Sequence, residues 1–214
     1  MKPQPFSYTA EKEYYSQHPV HPGQPYLHLE PYLTCWFDPV TMLAGKRILD
    51  VGAGECLYSQ LIAERFSPRM VVATDLLVDR LRPSLPANTP IRVVAGDCYR
   101  LPFRAGSFDV VFGSLVLHRP PDLPSIAAEV RRVLVAGGAY VGFEPNYLHA
   151  VNLYRHYLGG DKYKSRNVYP LWPRLLRRGF ESQGFKAELT FFYAPRPRWR
   201  FPLLGTCVGV VAVL

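Results

Sequence analysis

No run in the 214 residues approaches the roughly 20 apolar residues that cross a bilayer, and the opening MKPQPFSYTAEKEYY lacks the apolar stretch of a secretory signal. Cysteine is scarce. Cys35, Cys56, Cys98 and Cys207 lie far apart, with no CxxC pair and no histidine at zinc-ligand spacing, so neither a disulfide framework nor a structural zinc site is implied. His18, His21 and His28 do not share a helical face, so no metal is expected. These absences describe a soluble protein with reduced thiols, expected in the cytoplasm. With 48% hydrophobic and 20% charged residues the chain can bury a core, which excludes wholesale disorder. Its length suits one domain, or one domain with a short lid.

Acidic residues are the scarcer charge, and the formal net charge is +8. The imbalance is local: residues 1–107 hold 11 Lys or Arg against 10 acids, and residues 108–214 hold 14 against 7. Nearly all the excess falls within 155–200, a segment able to meet an anionic group on a ligand, RNA or lipid, or simply to form a solvated face.

Residues 1–46 carry seven prolines in the first forty positions and many aromatics, with short helices expected at 9–16 and 26–37. This part reads as an N-terminal lid or cap, leaving 47–214 as the main domain. From Lys46 onward strands and helices alternate. Strands are expected at 47–52, 70–74, 91–95, 108–113 and 139–143, and helices at 55–66, 76–82 and 124–135, the last stopped by Gly137 and Gly138. Helices at 147–158 and 169–183 and strands at 185–193 and 206–214 complete the pattern. The closing apolar run reads as a buried strand rather than a membrane anchor. Continuous Val and Ile runs suit strands buried on both faces, so the expected fold is α/β: a doubly wound, Rossmann-like, seven-stranded sheet, mostly parallel, with the last strand antiparallel.

ILDVGAGECLYS, residues 48–59, places an acid at a strand end, two glycines two positions apart, and a helix start directly after. Glycine permits a sharp bend and close approach by a ligand, and free amides at a helix start can meet polar ligand atoms. A dinucleotide fingerprint would need glycine at position 57, where this chain has Leu57. Asp75 lies 21 residues past Gly54 at the next strand end, where a carboxylate can accept both hydroxyls of a ribose, and Asp97 follows the third strand.

In these motifs, together with ATDLL (73–77), GDCYRLPF (96–103), FDVVFGSLVLH (108–118) and EVRRVLVAGGAYVGFEPN (129–146), the chain resembles the class I S-adenosylmethionine-dependent methyltransferases, most closely their small-molecule branch that includes the ubiquinone and menaquinone enzymes. The resemblance implies that Gly52, Ala53 and Gly54 pass beneath the methionine part of the cofactor, with Asp50 near its amino group. It further implies that Asp75 holds the ribose, Leu76 packs on the adenine, Asp97 takes its exocyclic amine, Cys98 borders the ring, and the Ser114 carbonyl faces the methionine ammonium. Cys56 stands where the family usually has a third glycine. For each carboxylate a plain capping role is the alternative, and for Cys98 a packing role is favoured over a nucleophilic one.

Methyl transfer from a sulfonium is an in-line displacement, and the donor, which leaves as S-adenosylhomocysteine, is already activated. His118, just past the fourth strand, is the candidate base if the acceptor is a hydroxyl; the alternative is a surface or helix-capping histidine. Tyr14 and Tyr15 from the lid, with Glu144, Asn146 and His149 after the fifth strand, are candidates to line the acceptor site. The expected partner is a small aromatic, quinone-like or lipid-related acceptor, with no DNA and no transmembrane segment, and oligomerisation left open. Two other functions compete: a catalytically silent cofactor-binding subunit that scaffolds or activates a partner, and an RNA or protein methyltransferase. Against the second, residues 113–116 read GSLV, not the asparagine-proline-proline-tyrosine type signature used on nucleobase amines.

Overall fold

The computed structural model describes residues 9, 13, 29–77, 85, 89–158, 169–193 and 203–214. Of the elements described from end to end, two short helices come first, α1 (Glu30–Thr34) and α2 (Pro39–Leu43). The interruption between them has a local cause: the Asp38 carboxylate accepts the Val40 and Thr41 amides, and Pro39 occupies the first helical position. Within the expected helix over 26–37 the described helical turn is Glu30–Thr34, and the capped turn Pro39–Leu43 follows beyond it.

The main unit then runs β1 (Arg47–Val51), α3 (Leu57–Arg65), β2 (Met70–Asp75), β3 (Arg92–Ala95), β4 (Phe108–Ser114), α4 (Leu123–Val133), β5 (Leu134–Pro145), α5 (Ala150–Tyr157), α6 (Pro173–Glu181), β6 (Lys186–Phe192) and β7 (Cys207–Val213). The strands form one seven-stranded sheet in the order β3-β2-β1-β4-β5-β7-β6. β7 is antiparallel to both its neighbours, and the other pairings are parallel. The order reverses between β1 and β4, which makes their carboxyl ends the switch point where this architecture binds ligands. The expected doubly wound fold is what forms.

Continuous apolar strands are explained by burial on both faces. Leu49, Val51, Val111 and Tyr140 pack with α4 and α6 residues such as Ile126, Val130, Leu176 and Phe180. Their strand neighbours Ile48, Val110, Phe112 and Phe143 pack on the other face with Leu61 and Ile62 of α3. Leu33 and Leu43 join that second cluster, and Trp36 stacks on Phe192 at 5.8 Å. Residues 29–43 thus cover one face of the β5-β7-β6 half of the sheet. Of the rest of the expected lid, Thr9 and Glu13 are described and helical, whereas Tyr14 and Tyr15 lie outside the described residues, as does most of the expected helix at 76–82.

One element boundary departs from the sequence expectation. Helix α4 ends at Val133, and Leu134 is already extended and pairs with Phe108. Gly137 and Gly138 therefore lie inside β5, next to an irregularity in its pairing with β4, instead of stopping the helix. Leu134 is 5% exposed there, so the extended position places its side chain in the core. Among the described residues no helix is long and apolar enough to cross a membrane.

Candidate functional site at the sheet switch point

Asp50 is the fourth residue of β1 and is 1% exposed. Ser59, in the first turn of α3, donates its hydroxyl to Asp50 Oδ2 at 2.6 Å, whereas Oδ1 is buried and meets no hydrogen-bond donor among the described residues. Burial pushes this carboxyl from 3.8 to about 7, the Ser59 hydrogen bond pulls it down, and the charge of Asp75 raises it further. A buried acid oxygen without a donor is an energetic liability unless a cationic or donating ligand group completes it.

Past β1 the chain bends through Gly52 at φ +68° and Gly54 at φ +53°. The bend is fastened to the second strand: the Gly54 amide donates to Asp75 Oδ2 at 2.9 Å, and the Ala53 amide donates to the Thr74 carbonyl at 3.0 Å. Asp75 Oδ1 accepts the Leu77 amide at 2.9 Å, which shapes the turn that leaves Leu76 exposed at the sheet edge. Asp97, two residues past β3, accepts the Tyr99 amide on Oδ1 at 2.9 Å. The three carboxylates therefore sit at the carboxyl ends of three adjacent strands, and Asp50 and Asp75 flank one glycine bend.

Cys56 occupies the left-handed region at φ 60° and is the residue from which α3 starts. Glycine fits this conformation without strain, so the departure from the family pattern costs backbone energy that the 0% exposed side chain partly returns through burial. Its thiol is pushed up to about 12 by desolvation and the charges of Asp50 and Asp75, and Cys98 rises to about 12 through desolvation and Asp97. Cys35 and Cys207 rise to about 11 and about 12. A thiol held this high is scarcely ionised at neutral pH, which disfavours nucleophilic chemistry at Cys56 and Cys98. Ellman's reagent at about pH 7.5 is expected to leave all four thiols nearly unlabelled in the native protein and to label all four after guanidinium unfolding. Labelling of any of them within seconds in the native state would refute this assignment.

Ser114 ends β4, and Leu115 follows at φ 54° with 46% of its surface exposed. His118 is not a surface or capping residue: it is 6% exposed and its Nδ1 lies 2.6 Å from Glu144 Oε2. Glu144 is 0% exposed and accepts three successive amides, from Val116 (3.0 Å), Leu117 (2.7 Å) and His118 (3.3 Å). Asn146 is also fully buried and spends its side chain on the Gly205 carbonyl and the Leu148 amide. These amide and carbonyl bonds of Glu144 and Asn146 thus go to neighbouring backbone. His149 is half-buried at the start of α5. Tyr147, His156 and Tyr157 form edge-on ring pairs nearby, at 5.4 Å and 4.7 Å.

Residues 49–142, which include this bend and the following strand ends, match the family model described as a methyltransferase domain. The chain carries a methyltransferase domain. Over 161 residues it is 30% identical to the malonyl-[acyl-carrier protein] O-methyltransferase of Halorhodospira halophila, covering 72% of this chain and 54% of that one. Over 124 residues it is 33% identical to the demethylmenaquinone methyltransferase of Renibacterium salmoninarum, covering 56% and 52%. The chain thus spans about half the length of these two relatives. Among solved structures, an S-adenosylmethionine-dependent methyltransferase from Mesorhizobium loti superposes with a TM-score of 0.66 at 17% identity, over 87% of this chain and 98% of that one. The methyltransferase domain fold explains why Asp50, Gly52, Gly54, Asp75 and Asp97 gather at one edge. It does not explain the buried Glu144 clamp, which no motif in the sequence announced. Nor did any signal mark the left-handed turns at Cys56 and Leu115 or the Ser59–Asp50 bond; only the nine-residue spacing of the last, one strand end to one helical turn, could have suggested it.

Proposed function

We propose that this chain transfers a methyl group from S-adenosylmethionine to a small acceptor of aromatic, quinone-like or lipid-related chemistry. The observation that carries this reading is the pairing of a glycine bend, already tied to Asp75, with a buried Asp50 whose Oδ1 lacks a donor. These residues suit an amino-acid-bearing nucleoside: Asp50 and the bend for the methionine part, Asp75 for the ribose, Asp97, Leu76 and Cys98 for the adenine, and Ser114 for the ammonium. When bound, the cofactor supplies a methyl group on a positively charged sulfur, a donor that needs no further activation.

The protein's share of the work is then mostly placement. Holding the acceptor atom in line with the donor can supply roughly 7–11 kcal/mol of the barrier. If the acceptor is a hydroxyl, His118 is the proposed base, worth on the order of 10² to 10⁴ in rate. The basic segment 155–200 is proposed to meet an anionic part of the acceptor. Relatives named for a carboxyl-bearing carrier substrate and for a quinone support a non-nucleic-acid acceptor.

Calorimetric titration of the full chain with S-adenosylhomocysteine is expected to give saturable one-to-one binding. Transfer of radiolabelled methyl to hydroquinones, phenols or fatty carboxylic acids should follow. Absence of binding defeats the proposal; binding with no transfer to any of the panel favours the silent-subunit reading.

A further inference from the structure

Among the described residues the buried Glu144 carboxylate bonds to one short stretch. Oε1 accepts the Val116 and Leu117 amides, and Oε2 accepts the His118 amide and faces His118 Nδ1. The preceding residue on β5 joins in, because the Phe143 carbonyl accepts the Leu115 amide at 2.9 Å. Four consecutive amides from 115 to 118 are thus pinned to two neighbouring residues of β5. Successive amides converging on one anion form a compact nest, which fixes backbone direction more firmly than isolated bonds do.

The pinned stretch includes Leu115 in the left-handed region, a conformation rare for L side chains other than Asn and Asp. Its side chain is 46% exposed, so burial does not hold it there. Strain of this kind persists only where surrounding bonds over-determine it, and here those bonds converge on Phe143 and Glu144. A carboxylate cannot donate, so the short contact to Nδ1 requires that nitrogen to carry a proton, and in the neutral ring Nε2 is then the nitrogen able to accept one.

We propose that Glu144 is a positioning residue of the acceptor side: it holds residues 115–118 in a strained turn that displays Leu115 at the sheet edge and locks the His118 proton on Nδ1. This rests on the methyl-transfer reading and narrows it, because an apolar side chain at 115 and, three residues on, a histidine nitrogen able to take a proton suit a hydroxyl carried on an apolar frame.

Two measurements test the clamp without a known acceptor. In Glu144→Gln the amide oxygen is expected to take the place of Oε1, since two amides already donate there. The amide nitrogen then faces His118 Nδ1 and drives the ring to its other tautomer. Nitrogen NMR of histidine-labelled protein at about pH 8, with His118 assigned by a His118→Gln variant, should show Nδ1 protonated in the wild type and Nε2 protonated in Glu144→Gln. Leu115→Gly should raise the thermal midpoint by roughly 2–4 °C through relief of the left-handed leucine. That gain should vanish in the Glu144→Gln background, where the turn relaxes.

A wild-type His118 protonated on Nε2, or a Leu115→Gly midpoint equal to or below wild type, overturns the clamp even if Glu144→Gln fails to fold. Wild-type binding of S-adenosylhomocysteine is scored separately. Its loss sinks the methyl-transfer reading and the role given to the turn, whereas intact binding with the wrong tautomer sinks this inference alone.

Discussion

Replacing Asp50 by asparagine is expected to stabilise the protein at neutral pH while weakening its hold on S-adenosylhomocysteine. The folded-state carboxyl sits near 7 instead of 3.8, so the folded chain keeps this proton where the unfolded chain releases it. The associated stability is fully present below about pH 4 and is lost as pH rises toward 7, because ionising a buried acid in place is what the fold resists. At ~1.4 kcal/mol per pH unit the loss approaches 4 kcal/mol. Asparagine does not ionise, and its oxygen can still accept from Ser59. Between about pH 4 and 7 the stability difference between Asp50→Asn and wild type should therefore grow, reaching roughly 2–4 kcal/mol by pH 8 after allowance for an amide nitrogen that lacks an acceptor.

The ligand side moves the other way. The amino group of the methionine portion is a cation, and a hydrogen bond to a charged group contributes about 1.5–3 kcal/mol, so affinity should fall roughly 10- to 100-fold in Asp50→Asn. For the same reason wild-type affinity should climb between about pH 5 and 7 as Asp50 ionises, and the variant should lose that slope. Chemical denaturation at several pH values and calorimetric titration check both halves. A variant that is less stable at pH 8, or that binds S-adenosylhomocysteine as tightly as wild type, is incompatible with the role given to Asp50.

The second large effect belongs to Gly52→Ala. The backbone there has φ +68°, and a methyl group would land on the Val116 side chain, 2.9 Å from its Cβ. Val116 cannot simply yield, since its amide is held by Glu144 at 3.0 Å. The left-handed penalty of about 1–2 kcal/mol and an overpacking cost of about 1–3 kcal/mol add to a loss of roughly 2–5 kcal/mol. A fall of about 5–15 °C in the thermal midpoint follows, with S-adenosylhomocysteine binding reduced beyond detection. Gly45→Ala supplies the control, having φ +69° and nothing within 4 Å of the added methyl. If both glycine variants lose the same stability, the Val116 contact contributes nothing and the packing argument fails.

Strands β1, β2, β4 and the glycine bend were legible because each is specified by its own few residues: continuous Val and Ile for a sheet covered on both sides, and glycine where the backbone turns left-handed. The carboxylate positions were legible for a related reason, since a strand end fixes where its last side chains lie. What escaped depends on pairs far apart in sequence. Glu144 reaches residues 26–28 positions earlier, and nothing local distinguishes an acid that lines a site from one that clamps a loop. Leu134 left its helix because Phe108 offered it a strand partner, a tertiary preference that overrode the helical pattern. The sequence left His118 open between a base and a surface or capping residue, because its partner lies across the β4–β5 pair.

Strand β7 lies between β5 and β6 and supplies their connection in the sheet. As the chain leaves the ribosome, β6 emerges first and has no neighbour to pair with until residues 207–213 have also been made. Until then the exposed edges of β5 and β6 are open to other nascent chains, so this half of the protein should depend on chaperones more than the β1–β4 half does.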